Sequence, residues 1–306
     1  MSVEGSAAAE LEVAVGAAAR GRGSLFGRLA RSPSGLAGLI ITVIVIMVAL
    51  GGLLGLFGHD PVAQDALARL RPPSAEHWLG TDQFGRDVFV RSAVGAANSL
   101  LVAVTAVAIA TVLGTAGGVL AGYFRGPGSR SVLGLSNVLF AFPPLLLALA
   151  LASAFTRTWF TVAVAIAIVY LPIFVRVTRG PVLSLRETNF VRAAVVLGFG
   201  VPRILIRHVL PNLAAIVIVQ VTLSLSWAVL TEAALSFLGL GTPPPAPSLG
   251  SMVLEARSLV TAAWWTMAAP GLVIVIMVVG LNLLGDGLRD ALDPRLVRTR
   301  GRHDVP

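Results

Sequence analysis

The side chains able to do chemistry are few and far apart along the chain. Its four histidines, His59, His77, His208 and His303, form no H-E-x-x-H pair, and no cysteine accompanies them. Disulfides, thiolate metal sites and a cysteine nucleophile are thereby excluded, and the histidines are expected to be isolated surface or interfacial groups, with no metal site. All 23 basic residues are arginine. Without lysine there is no phosphate-binding loop G-x-x-x-x-G-K-[ST], so this chain is not expected to bind or hydrolyse ATP by itself. Hydrolase signatures are missing too: no Gly-x-Ser-x-Gly occurs, and no carboxylates pair within an apolar run. Glu232 comes nearest to an intramembrane carboxylate, but it is expected at the outer end of a span, as an interfacial group rather than a proton relay. No catalytic residue is expected, and whatever work the protein does must draw on a partner.

The elements that carry these residues are apolar. The chain is 56% hydrophobic and 12% charged, with mean hydropathy +0.86; a soluble domain carries roughly twice that charge fraction. Six windows lack Asp, Glu and Arg: 32–59, 92–124, 131–156, 158–175, 208–231 and 258–285. Each is long enough for a helix across the hydrocarbon core, where unpaired backbone groups are too costly for any other form. An all-α membrane protein of six spans follows. Pro172 is expected to kink or end the fourth helix. A seventh uncharged window, 233–254, holds Pro243, Pro244, Pro245 and Pro247 among glycines and reads as an irregular surface or re-entrant segment.

Arginine placement orients these spans. Seventeen arginines lie in the two tails and in the 123–130 and 176–207 connections, and six lie on the opposite face. The positive-inside bias puts the first face, and with it both termini, in the cytoplasm. With acidic residues counted, the inner face carries +9 and the outer −1. The net charge of +8 is therefore a membrane pattern rather than a nucleic-acid footprint. Residues 1–31 read as a cytoplasmic tail; Glu4, Glu10 and Glu12 argue against a signal peptide.

One inner stretch is unusually polar and Gly-punctuated: NFVRAAVVLGFGVPRILIRHVLPN, residues 189–212. Thr188 or Asn189 is positioned to cap a helix from about Phe190 that ends near Gly198–Gly200, with Ala193, Ala194 and Gly198 leaving one surface nearly bare. Pro202 suits the first turn of a second short helix. Pro211 then opens the fifth span.

Arg192-Ala193-Ala194, three residues, Gly198, nine residues, His208-Val209-Leu210-Pro211 resembles the EAA loop of binding-protein-dependent ABC importers, Glu-Ala-Ala-x3-Gly-x9-Ile-x-Leu-Pro. Arg192 and His208 depart from it; the glycine, the Leu-Pro and all spacings hold. Glu232-Ala233-Ala234 is a decoy, with its glycine one position late and no Leu-Pro following. HWLGTDQFGRDVFVRSAVGAANSLLVA (77–103), EAALSFLGLGTPPPAPSLGSMVLEAR (232–257) and NLLGDGLRDALDPR (282–295) resemble C-type permease subunits (DppC/OppC) of dipeptide, oligopeptide and nickel importers. The likeness runs over about residues 25–296.

That resemblance implies a type I importer permease fold with cytoplasmic coupling helices. Residues 32–96 would form the first span and an outer loop, 97–286 the shared permease domain, and 287–306 a C-terminal tail. The implied partners are a second, homologous permease, two ATP-binding subunits or a fused ATPase that use ATP and Mg2+, an extracytoplasmic solute-binding protein, and membrane lipid. Arg192, Ala193, Ala194, Gly198, His208, Leu210 and Pro211 would couple to the ATPases. Asp82, Arg86 and Asp87 of the outer loop, with Pro243 and Pro244, would form the binding protein's landing surface; alternatively Asp82 and Arg86, four apart, are simply a helix-surface ion pair. The LLGDGLRDALDPR segment reads as a short helix beneath the sixth span, with Asp286 capping it and Arg289, Asp290 and Asp293 facing water. A self-sufficient secondary carrier is opposed by the lack of a membrane-depth ionisable residue, and a membrane enzyme by the lack of a catalytic constellation. Peptides are the first-choice cargo; nickel chelates, glutathione and haem lie within the family's range.

Overall fold

The computed structural model describes residues 27, 29, 30 and 32–292. Nearly everything ordered is helix: α1 (Pro33–Leu53), α2 (Val88–Tyr123), α3 (Pro127–Ala141), α4 (Pro144–Ala154), α5 (Trp159–Arg186), α6 (Asn189–Val196), α7 (Val201–Ile204), α8 (Leu210–Phe237), α9 (Leu249–Ala256) and α10 (Trp265–Leu292). Five stretches are long and apolar enough to cross a membrane, one of them running unbroken from Val201 to Phe237; α3 and α4 together form a sixth if counted as one bent span. The chain is a multi-pass membrane protein. The expected cytoplasmic tails fall outside the described residues as far as Phe26 and from Asp293 onward, as do Arg28 and Arg31.

In an apolar solvent, burying Leu or Val gains little, so close backbone approach must hold the bundle. The longest interface, α2 against α5, is built that way. Gly114, Gly118 and Gly122 recur every fourth residue on α2 and face Leu171–Phe174, Val175–Thr178 and Arg179–Val182 of α5; a Cβ on Gly118 would fall 2.5 Å from the Val175 carbonyl oxygen. Helices α1 and α10 meet similarly, with Gly38 against the Leu284 backbone and Gly35 against Gly287. Large side chains such as Ile44, Met47, Val112 and Leu113 point outward instead.

Three expectations need correction. The 131–156 window is two helices meeting at 99°. Pro143 and Pro144 cause the break: neither has an N–H to give the helix, and a residue preceding proline is driven to extended backbone, as Phe142 is (φ −91°, ψ 140°). Of the two outcomes expected at Pro172, a kink or an end, the end is excluded: α5 passes through both Pro172 and Pro181 to Arg186. The C-terminal segment is not a separate helix, because α10 continues to Leu292 with Asp286 inside it. Of its expected water-facing residues, Asp293 lies outside the described part.

Candidate functional site

Thr188 occupies the cap position of α6, but its side chain makes no cap bond; its hydroxyl donates backward to the Leu185 carbonyl, 2.5 Å away, closing α5. Val191 and Ala194 turn into the chain and pack with Val119, Val182, Ile204, Val209 and Leu213. The opposite surface is open. Val195, Val196 and Leu197 are 53%, 86% and 72% exposed, a large apolar knuckle at a loop tip beyond both flanking spans. Gly198 then reverses the chain at φ +76°. Its N–H bonds the Val195 carbonyl and that of Phe199 bonds Ala194, at 3.0 and 3.1 Å, the paired closure of a helix that ends on a left-handed residue. Among the described residues, its two chain neighbours aside, no atom lies within 4 Å of a Cβ placed on Gly198, so here this glycine answers to backbone conformation. The bare surface expected from Ala193, Ala194 and Gly198 is also split, since Ala193 is exposed and Ala194 is buried.

Pro202 does begin a helical turn, as expected. The second helix is not separate, however: α7 runs through a π-helical turn, Leu205–Val209, directly into α8. Pro211 explains the wide turn. Its ring would collide with the carbonyl four residues back, and the expanded turn relieves that clash. The Leu210 N–H reaches Leu205, while the Asn212 side chain donates to the His208 carbonyl at 2.6 Å. The His208 ring leans on Phe190, centroids 6.3 Å apart, joining the π turn to the start of α6.

Sequence reasoning missed Glu187, the anion of this region. Its carboxylate accepts from Arg192 at 2.6 Å and from Arg186 at 3.1 Å, with Arg125 at 3.7 Å. Hydrogen bonds from Arg192 first and Arg186 second hold this exposed carboxyl below its ordinary range. Arg192 stands where the EAA pattern has its glutamate, and its own counter-charge is five residues upstream.

The outer loop is built the other way. Asp82 and Arg86 are not on a helix. Asp82 closes a turn, taking the N–H groups of Phe84 and Arg86 on one oxygen and the Arg86 guanidinium on the other at 2.6 Å. Arg86 also holds Glu255 at 2.6 Å, and Arg91, 2% exposed on its side chain, lies 3.5 Å from both carboxylates. The network ties the loop to the start of α2 and to α9. Thr81 bridges to Asp87, and the Trp265 indole donates to the Thr81 carbonyl. Gly85, at φ +75°, has Asp65 against it so closely that a Cβ would fall 1.8 Å from the Asp65 oxygen. Asp82, Arg86 and Asp87 therefore face inward, and the helix-surface reading is corrected. Pro243 and Pro244 are exposed.

Three further residues have surroundings the sequence did not indicate. Glu232 is wholly buried near the outer end of α8, one oxygen accepting from Ser236 at 2.6 Å. An ionisable group does therefore sit among packed helices. His59 and His77 are not isolated; their rings lie 5.1 Å apart.

An apolar bundle of five spanning helices and one bent pair, with large apolar side chains exposed beyond the spans, has the architecture of a multi-pass membrane protein. Residues 114–298 match the family described as binding-protein-dependent transport system inner membrane component. A dipeptide transport system permease protein, DppC, of Alkalihalophilus pseudofirmus is 42% identical over 271 residues, covering 89% of each chain. The glutathione transport system permease protein GsiD of Pectobacterium atrosepticum is 42% identical over 224 residues, 73% of this chain and 74% of that one. Among solved structures, an inward-facing MetNI methionine ABC transporter matches in fold at TM-score 0.54 and 19% identity, over 69% of this chain and 95% of that one. The chain belongs to the binding-protein-dependent transport system inner membrane components. Transport, rather than catalysis, is the business of that family, and a self-sufficient carrier is set aside with it.

Proposed function

We propose that this chain is one of two homologous permease subunits in an ATP-driven peptide importer, forming half of the translocation pathway. The observation that carries the reading is the Val195–Leu197 knuckle, a large apolar surface held outside the spans just after the exposed Arg192, the form of a site kept for another protein. The partner proposed for it is an ATP-binding subunit, which also supplies the ATP and Mg2+ site that a lysine-free chain lacks. The face bearing the knuckle holds most of the arginines, so it is assigned to the cytoplasm with both termini. Residues 97–286 would be the permease domain proper. Peptide is the chosen cargo because the relatives' names include dipeptide and glutathione transport.

In the proposed cycle, ATP closes the ATPase pair, and residues 189–211 carry that movement into α5 and α8. The permease pair opens outward to receive solute from its binding protein. ATP drives the shift because it binds the closed ATPase arrangement better than the open one. The exposed Pro243–Pro244 loop is the proposed landing surface, with Asp82, Arg86 and Asp87 shaping the neighbouring loop from within. Reconstitution tests this. The chain with its companion permease, ATPase subunits and binding protein should hydrolyse ATP faster when a dipeptide is added, and should accumulate it. Uptake of equal rate by proteoliposomes holding this chain alone would overturn the proposal.

A further inference from the structure

The fold brings together three ligating residues that the sequence keeps 28 positions apart. His59 lies in the turn after α1, His77 in the outer loop, and Asp87 at the first residue before α2. One candidate ligand atom from each lies within 4.8 Å of the other two. Two of the three are held firmly. Asp87 is 5% exposed and His77 7%; one Asp87 oxygen caps α2 by accepting the Val90 N–H at 2.9 Å, and the other meets His77 Nδ1 at 2.9 Å. His59 is partly exposed, its ring 5.1 Å from that of His77 and tilted against it. A cavity of about 220 Å³, lined partly by Glu76, Trp78 and Phe57, adjoins the group.

We propose that His59, His77 and Asp87 form a binding site for a borderline transition-metal dication, with Zn2+ as the type ion. Two imidazoles and one carboxylate are a donor set that suits such ions and disfavours Ca2+ or Mg2+, which take oxygen cages. Tetrahedral zinc has ligand bonds of about 2.0–2.2 Å, which set neighbouring donors roughly 3.4 Å apart. The 2.9 Å His77–Asp87 separation is near that edge, so a metal ion can take the place of the hydrogen between them, with the neutral His77 ring ligating through Nδ1 and carrying its proton on Nε2. His59 closes the third position by a side-chain rotation. The fourth faces the cavity, open to water or to the Glu76 carboxylate. Bound there, the ion would fasten the end of α1 to the beginning of α2 across the outer loop. This assignment does not depend on the proposed transport cycle.

The test is calorimetric titration of Zn2+ into the full-length chain, purified without a polyhistidine tag, alone or within its assembled complex. One ion per chain is expected to bind saturably at micromolar concentration or tighter. His59→Ala should weaken binding at least tenfold while leaving the elution profile unchanged, because His59 is partly exposed in the turn after α1. His77→Gln should weaken it comparably; if that variant does not fold, His59→Ala alone decides. The site is refuted if the unaltered chain binds no Zn2+ in this range, or if it and His59→Ala bind equally.

Discussion

Two stretches of this apolar chain use the same parts to opposite ends. Residues 80–91 and 187–200 each set a carboxylate against arginines close to a glycine at positive φ: Asp82 with Gly85, and Glu187 with Gly198. In the outer stretch the polar groups face inward. The arginines are almost sealed, the carboxylate closes its own turn, and the glycine has a neighbouring backbone against it. In the inner stretch the ion pairs lie in solvent, the glycine touches nothing, and three large apolar side chains stand exposed. Polar residues in a membrane protein thus do two kinds of work. The outer set completes this chain; the inner set leaves it incomplete.

Matched substitutions break or sharpen that contrast. Gly85→Ala should have the largest effect, because it meets both a left-handed backbone and the Asp65 carbonyl; a loss of about 3–5 kcal/mol is expected from strain and overpacking together. Detergent-solubilised protein should show it as a lowered unfolding midpoint. Asp82→Ala should follow closely. It leaves Arg86 and Arg91 to share Glu255, and removing one member of a buried charge cluster typically costs about 3–5 kcal/mol. Equal midpoints for Asp82→Ala and Glu187→Ala would erase the distinction between the regions.

Gly198→Ala should fall well below these, at about 1–2 kcal/mol, since only the left-handed conformation opposes it. The smallest effect concerns pH. The Glu187 carboxyl is held below its ordinary value of 4.5 by Arg192 and Arg186. Its contribution is complete above that ordinary value and fades as pH falls through the lower, folded-state value. The gap between wild type and Glu187→Gln in unfolding midpoint should accordingly be slight at neutral pH and close in acid. A gap that widens on acidification would reverse the sign and discard the pairing.

Much of this was legible in the sequence because the bilayer imposes simple rules. Uncharged windows gave five of the spans, and arginine placement gave their proposed orientation. The Gly198 reversal and the Pro202 turn could be read because glycine and proline declare backbone conformation locally. What stayed hidden depended on contacts across the fold. Pro143-Pro144 did carry the signal for the 99° break, and it was legible had adjacent prolines been weighed against span length. The burial of Glu232, the inward turn of Asp82 and Arg86, and the meeting of His59 with His77 had no such local signal. The inward turn of Asp82 and Arg86, for example, depends on α9 bringing Glu255 to Arg86 across 169 positions.

Gly198→Trp within the assembled complex tests the central claim most directly, with peptide-stimulated ATP hydrolysis as the readout and subunit recovery checked alongside. The residue lies outside the spans and has open space around it in this chain, so insertion and folding should survive. A bulky ring beside the Val195–Leu197 knuckle should nonetheless wedge the proposed joint, since overpacking a tight contact costs about 1–3 kcal/mol, roughly a five-fold to 150-fold loss of association. Stimulation is expected to collapse, while Arg192→Glu, which restores the commoner residue of the loop pattern, should retain most of it. A Gly198→Trp complex that assembles and couples like wild type would contradict the assignment of residues 189–211 as the mechanical joint.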